Sequence, residues 1–242
     1  LSFDRQGDLW MTNSLTPAPI VVLTRGGEWR SFAPGSILGG NSLVSDILAA
    51  SNGYKWVVRP RGNALLLFDD NGTLNDTGDD RYRLLNNQTG SGGLPSSDVF
   101  CVAEDKDGQI WVGTNRGVAV FYAPEALFGT NPPDAQQILI EQDGNIQALL
   151  ETEAVSVIAV DGANRKWIGT QTSGVFLFSA DGREQIHHFT RQNSPLPSDG
   201  ITSTAIDGVS GEVFIGTENG IISYRSDATE GAFENACATV YP

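Results

Sequence analysis

Seven polar residues are the strongest candidates for binding chemistry: Arg59, Arg61, Asn115, Arg116, Gln171, Glu218 and Asn219. They sit in four short segments, RPRG (59–62), TNRG (114–117), TQTSG (170–174) and TENG (217–220), each of which ends in glycine. Guanidinium and amide groups on short turns can hold a glycan or a protein partner, and variation from copy to copy suits a recognition surface. The same residues also fit plain solvated turns. Catalysis has weaker support. Asp46 and Asp98 stand immediately before two expected strands and Asp199 one residue further back. Two such carboxylates could act as acid and base at a glycosidic bond. The matching position of another copy is Ala154, however, and the strands ILAAS, VFCVA, VSVIAV and ITSTAI carry no acid. Capping of a tight loop is the simpler role for these aspartates.

Metal and nucleophile chemistry are poorly represented. Asp105, Asp107 and Gly108, Asp181 and Gly182, and the loop with Asp76, Asp79 and Asp80 resemble pieces of calcium loops. None extends to a twelve-residue ligand pattern with a closing Glu, and Asp-Gly turns are ordinary hairpin chemistry. His187 and His188 are neighbours on one expected strand, so they point to opposite faces, and neither has a partner at metal-ligand spacing. No Gly-Xaa-Ser-Xaa-Gly elbow, phosphate loop or Cys/His pair is present. No catalytic residue, metal site or cofactor is expected.

The elements that must position these turns are repeated. Val99 to Tyr122 reads as three short strands, VFCVAE, QIWVGT and VAVFY, joined by DKDG and NRG. The pattern returns from Val155 and from Ile201, more loosely from Ile47, and as FDRQGDLWMTN at the start, where most of the first strand is missing. The aromatic of the second strand recurs as Trp10, Trp56, Trp111, Trp167 and Phe214, at intervals of 46 to 56 residues. That period with several strands per unit is a β-propeller blade. A large aromatic at one position of every blade serves blade-on-blade packing. A fourth, outer strand is expected at EWRSF (28–32), RYRLL (81–85), QQILI (136–140) and EQIHHF (184–189). The loops GGNSLVSD (39–46), SGGLPSSD (91–98) and NSPLPSDG (193–200) lead into inner strands, and 123–135 holds a short helix before Pro-Pro. The fold class is all-β: four-stranded antiparallel blades, about five of them over residues 1–225.

Composition agrees and excludes some partners. The 242 residues carry 28 glycines and a formal net charge of −14. With no basic excess to neutralise phosphates, nucleic acid is not expected as a partner. Broad docking on an anionic membrane is disfavoured too, and no apolar run approaches the ~20 residues of a spanning helix. Cys101, in an inner strand, is expected as a buried apolar residue, and Cys237 lies near the end. The chain begins inside a repeat, so it is expected to be part of a longer protein.

The element D-x-x-G-x-I/L-W-I/V-G-T-x-x-G, preceded by L-P-S, resembles the two-component regulator propeller repeat of Bacteroidetes proteins. It is carried by Asp105 to Gly117 and, with variations, by Asp161 to Gly174 and Asp207 to Gly220. Two kinds of protein use it: periplasmic glycan-sensing domains of hybrid two-component sensor kinases, and a surface component of the type IX secretion system. Ile221 to Gly231 followed by ATVYP resembles the join, in the second kind, between a propeller and a C-terminal β-sandwich sorting domain. Residues 226–242 are accordingly expected to be a linker and the start of that sandwich. The resemblance implies a seven-bladed ring to which this chain contributes. It also implies residence at the outer cell surface, in an attachment complex with a sortase, and recognition of anionic lipopolysaccharide or another glycan. Arg59, Arg61 and Arg116 would form the basic patch for an anionic ligand. The alternatives are the periplasmic sensor and, third, a propeller glycosidase or lyase.

Overall fold

The computed structural model describes residues 1–38, 43–62, 64–142, 144–225 and 227. The expected linker and sandwich start over 226–242, with Cys237, fall outside the described residues, Asp227 excepted. The first part of the 39–46 loop falls outside them as well.

Alternating short β-runs and Gly-bearing turns fold into antiparallel meanders. The first sheet holds β1 (Ser2–Phe3), β2 (Leu9–Thr12), β3 (Ile20–Leu23) and β4 (Trp29–Phe32). The second holds β5 (Asp46–Ala49), β6 (Lys55–Val58), β7 (Leu65–Asp69) and β8 (Arg81–Leu85). The third holds β9 (Val99–Glu104), β10 (Ile110–Thr114), β11 (Gly117–Phe121) and β12 (Gln136–Gln137). A separate hairpin follows, β13 (Leu139–Gln142) with β14 (Asn145–Ala148). The fourth sheet holds β15 (Val155–Val160), β16 (Lys166–Thr170), β17 (Val175–Phe178) and β18 (Gln185–Phe189). The fifth has three strands among the described residues: β19 (Ile201–Ile206), β20 (Glu212–Thr217) and β21 (Gly220–Arg225). The fold is all-β, built of four-stranded antiparallel propeller blades.

Three sequence expectations need correction. The outer strand expected over QQILI is divided: Gln136–Gln137 pairs with β11, while Leu139 onward turns away into its own hairpin. The helix expected within 123–135 is one 3-10 segment, Pro124–Phe128, and a second 3-10 segment, Gly35–Leu38, was not expected at all. The inner strands are not free of acid either, since Asp46 opens β5 and Glu104 closes β9.

The chain divides into two compact units: Leu1–Val112 with Ala119–Gln136, and Gly113–Val118 with Gln137–Pro242. In the first unit, Trp10 of blade 1 packs with Phe32 and reaches Phe68 of blade 2, and Trp56 of blade 2 meets Phe121 of blade 3. In the second unit, Trp167 of blade 4 lies 5.5 Å from Tyr224 of blade 5. Each of these three indoles faces the blade that follows it in the chain, and all three are fully buried. Phe214 breaks the expected pattern. It stands 42% exposed.

Candidate functional site

The repeated motif is built for structure from end to end. In blade 3 the Asp105 carboxylate accepts the Asp107 and Gln109 amides through Oδ1, and the Trp111 indole N–H through Oδ2 at 2.9 Å. Asp4 does the same in blade 1 for Gln6, Asp8 and Trp10. In blade 4, Arg165 takes Asp161 Oδ2 instead, and Trp167 Nε1 has no acceptor among the described residues. Blade 2 carries Ala50 in the Asp position, and Trp56 Nε1 is likewise unpartnered. The glycine after the tryptophan permits close approach: a Cβ on Gly169 would lie 2.5 Å from Ile201 Cγ2 of the next blade. The threonine closes the hairpin. Thr114, Thr170 and Thr217 each donate to the carbonyl of the glycine that ends the turn, Gly117, Gly174 and Gly220. The same hydroxyls accept the amides of Arg116, Ser173 and Asn219.

This latch explains where the seven candidate residues lie. In the first unit, blade 2 departs from the motif and puts Arg59 in the threonine position. Its amide donates to Ala64 O, as the Thr170 amide does to Gly174 O. Arg59 is therefore only 5% exposed, and burial lowers its guanidinium pKa. It is not offered to a ligand as the sequence suggested. Arg61 is exposed at a positive φ of 62°, next to Gly62, whose added Cβ would be 3.6 Å from Asp98 Oδ1. In the second unit, Asn115, Arg116, Gln171, Glu218 and Asn219 are all exposed at hairpin tips. Gln171 N donates to Ala154 O and Glu218 N to Gly200 O, so the tips are fixed by backbone bonds and their side chains reach outward.

The other candidates have structural occupations. Asp46 Oδ1 accepts the Ile47 amide, and Asp199 Oδ1 accepts the Arg191 amide at 2.7 Å. In the acidic loop, Asp79 accepts Asn71 Nδ2 and Thr73 Oγ1, which lowers its pKa. Asp76 caps Gly78 N. Asp80 accepts the Tyr82 hydroxyl at 3.0 Å, and burial, reinforced by Asp70, Asp79 and Asp76, raises its pKa. No cluster of three or more metal-ligating side chains occurs among the described residues. His187 packs on Phe189 and Tyr224, while His188 stacks on Phe176 on the opposite face. Cys101 is buried and forms no disulfide among the described residues.

Sequence reasoning missed a cavity. In the first unit, the turns of blades 1 and 2 border a half-open cavity of about 580 Å³ lined by Arg5, Asn52, Tyr54, Lys55, Asp70 and Arg81, among others. At its base, Lys55 Nζ lies 2.5 Å from Asp70 Oδ1 and 4.2 Å from the centre of the Trp10 ring. Arg81 is paired to Asp69 at the rim. The available signal was a lysine directly before the repeat tryptophan, in blades 2 and 4 alone.

The family model described as two component regulator propeller matches residues 93–116. No curated protein matches the chain. Among solved structures, the chain is similar to PorZ, a surface component of the type-IX secretion system of Porphyromonas gingivalis. The identity is 27% and the TM-score 0.81, over 95% of this chain and 32% of that one. It is also similar to the extracellular domain of the hybrid two component system BT3049 of B. thetaiotaomicron, at 18% identity and TM-score 0.60, over 94% of this chain and 26% of that one. A virginiamycin B lyase of Staphylococcus aureus shares the fold at 14% identity and TM-score 0.54, covering 94% of this chain and 69% of that one. The chain thus spans about a third of the length of PorZ. No helix among the described residues is long and apolar enough to cross a membrane.

Proposed function

We propose that this chain is a non-catalytic propeller portion of a type IX secretion component at the bacterial cell surface. It presents hairpin-tip residues to an anionic lipopolysaccharide or to a sortase partner in an attachment complex. The observation that carries the reading is the likeness to PorZ, at 27% identity across 95% of the chain. The rigid hairpin tips support it. Each threonine latch fixes the backbone, so Arg116, Gln171 and Asn219 meet a partner without ordering a loop. Arg61 in the first unit and Arg116 in the second are each an exposed cation that an anionic ligand could use in a chain of net charge −14, whereas Arg59 is buried.

The test is binding of purified anionic lipopolysaccharide to the chain over a salt series. Binding that weakens with salt and with Arg61→Ala and Arg116→Ala supports the reading; absence of binding removes lipopolysaccharide and leaves sortase capture as the function to assay. The match of the regulator propeller model at 93–116 favours a second reading, a periplasmic glycan-sensing domain of a hybrid kinase. Salt-insensitive binding of an uncharged oligosaccharide at the hairpin tips would favour it.

A further inference from the structure

A half-open cavity of about 510 Å³ lies wholly within the second unit, between the β13–β14 hairpin and the outer two strands of blade 4. Its walls differ in chemistry. Phe176 and Phe178, both buried and stacked 5.9 Å apart, give it an apolar side. Glu151, Glu153 and His188 give it a polar one. His188 lies over the Phe176 ring at 3.8 Å, and its Nε2 is 2.7 Å from the Ser173 carbonyl oxygen. A carbonyl only accepts, so Nε2 carries the proton, and Nδ1 of the neutral ring is left as an acceptor. Glu153 accepts the Ser173 hydroxyl through Oε2 at 2.6 Å, and Glu151 accepts the Ala148 amide through Oε2 at 3.3 Å. The second oxygen of each carboxylate has no donor among the described residues. Among those residues no lysine or arginine lines the cavity.

We infer that this cavity binds an organic cation, an alkylammonium or alkylguanidinium group, carried by a free amine or by a lysine or arginine side chain. The charged head donates to the spare oxygens of Glu151 and Glu153 in charge-assisted hydrogen bonds. The methylene stem lies along Phe176 and Phe178, as the stem of a long basic side chain covers apolar surface while its head stays polar. Charge selects the ligand. Two carboxylates line the cavity with no cation beside them, in a chain of net charge −14, so an anion is opposed and a neutral chain gains nothing from them. The carboxylates are also held before any ligand arrives, because Ser173 and the Ala148 amide each fix one oxygen and leave the other for use. The cavity volume lies within the ~300–1,000 Å³ usual for small-molecule sites. This site uses none of the hairpin-tip residues and takes a ligand of the opposite charge, so it stands apart from the lipopolysaccharide reading.

The experiment is a calorimetric titration of the chain with butylamine, cadaverine and agmatine, and with acetyl-Gly-Lys-Gly-amide and acetyl-Gly-Arg-Gly-amide. Pentanol and pentanoate are the neutral and anionic counterparts. Saturable binding of at least one cation is expected, with neither counterpart bound. Tighter binding of the peptides places the cation on a protein partner, and tighter binding of the free amines assigns a small molecule; either result supports the site. Glu151→Gln with Glu153→Gln should weaken binding about tenfold or more. The glutamine carbonyls keep the acceptors for the Ala148 amide and the Ser173 hydroxyl, so a matching melting temperature confirms that the fold is intact. Glu28→Gln with Glu125→Gln removes the same charge from exposed positions in the first unit and should leave binding unchanged, which separates the site from general attraction to an acidic chain. Arg61→Ala and Arg116→Ala should not weaken it either. Absence of saturable binding by every cation, equal binding of pentanol, or equal losses in the two double variants would overturn the inference.

Discussion

At the scale of single residues, the aspartate of the D-x-x-G turn organises each blade. Asp105 holds two part-buried turn amides and a buried indole N–H, so its loss strands the indole donor and loosens the turn. Asp105→Ala should lower stability by about 3 kcal/mol in urea unfolding. The reverse experiment is available in blade 2. Ala50 has the backbone geometry of Asp105, with its amide donating to Tyr54 O as that of Asp105 does to Gln109 O. Ala50→Asp should therefore give the unpartnered Trp56 Nε1 an acceptor and stabilise by about 1 kcal/mol. Asp80 gives a pH signature. Its pKa is raised in the folded state, so the unfolded chain releases the proton first and stability falls as pH rises from about 4 through the raised value. Asp80→Asn should remove that decline, leaving a variant more stable than the parent at pH 7 and no more stable below pH ~3. Thermal melts across pH would show it.

At the scale of elements, the hairpin between second and third strands depends on a left-handed glycine. Gly174 has φ of 79°, and a Cβ there would stand 2.1 Å from the Phe189 carbonyl of the outer strand. Gly174→Ala should cost about 2 kcal/mol or more, from backbone strain plus displacement of β18. Gly27 has a similar φ of 86° but open space around it, so Gly27→Ala should cost only the strain, about 1 kcal/mol. The difference between the two melting temperatures isolates the close approach. At this scale the sequence was legible where glycine and threonine recur together. It was illegible at QQILI, because alternation is the same whether a strand pairs with β11 or turns into a new hairpin.

At the scale of the whole molecule, stability follows blade-to-blade contact. Trp167 is fully buried against Tyr224, whereas Phe214, at the equivalent position one blade later, is exposed. Trp167→Ala should cost about 3–5 kcal/mol, and Phe214→Ser no more than about 1 kcal/mol. Equal losses would show that Phe214 packs on something beyond the described residues. The sequence by itself determined the blade pattern, the turn chemistry and the register of the aromatics. Those depend on period-two alternation and on glycine and aspartate at fixed offsets, which are local. Only the tertiary structure decided which polar groups are available. Arg59 reads as a loop cation and is buried in a latch position, and Lys55 reads as one more basic residue yet is buried against Asp70 and the Trp10 ring. Burial and satisfaction depend on neighbours brought in from another blade, and no local pattern records those.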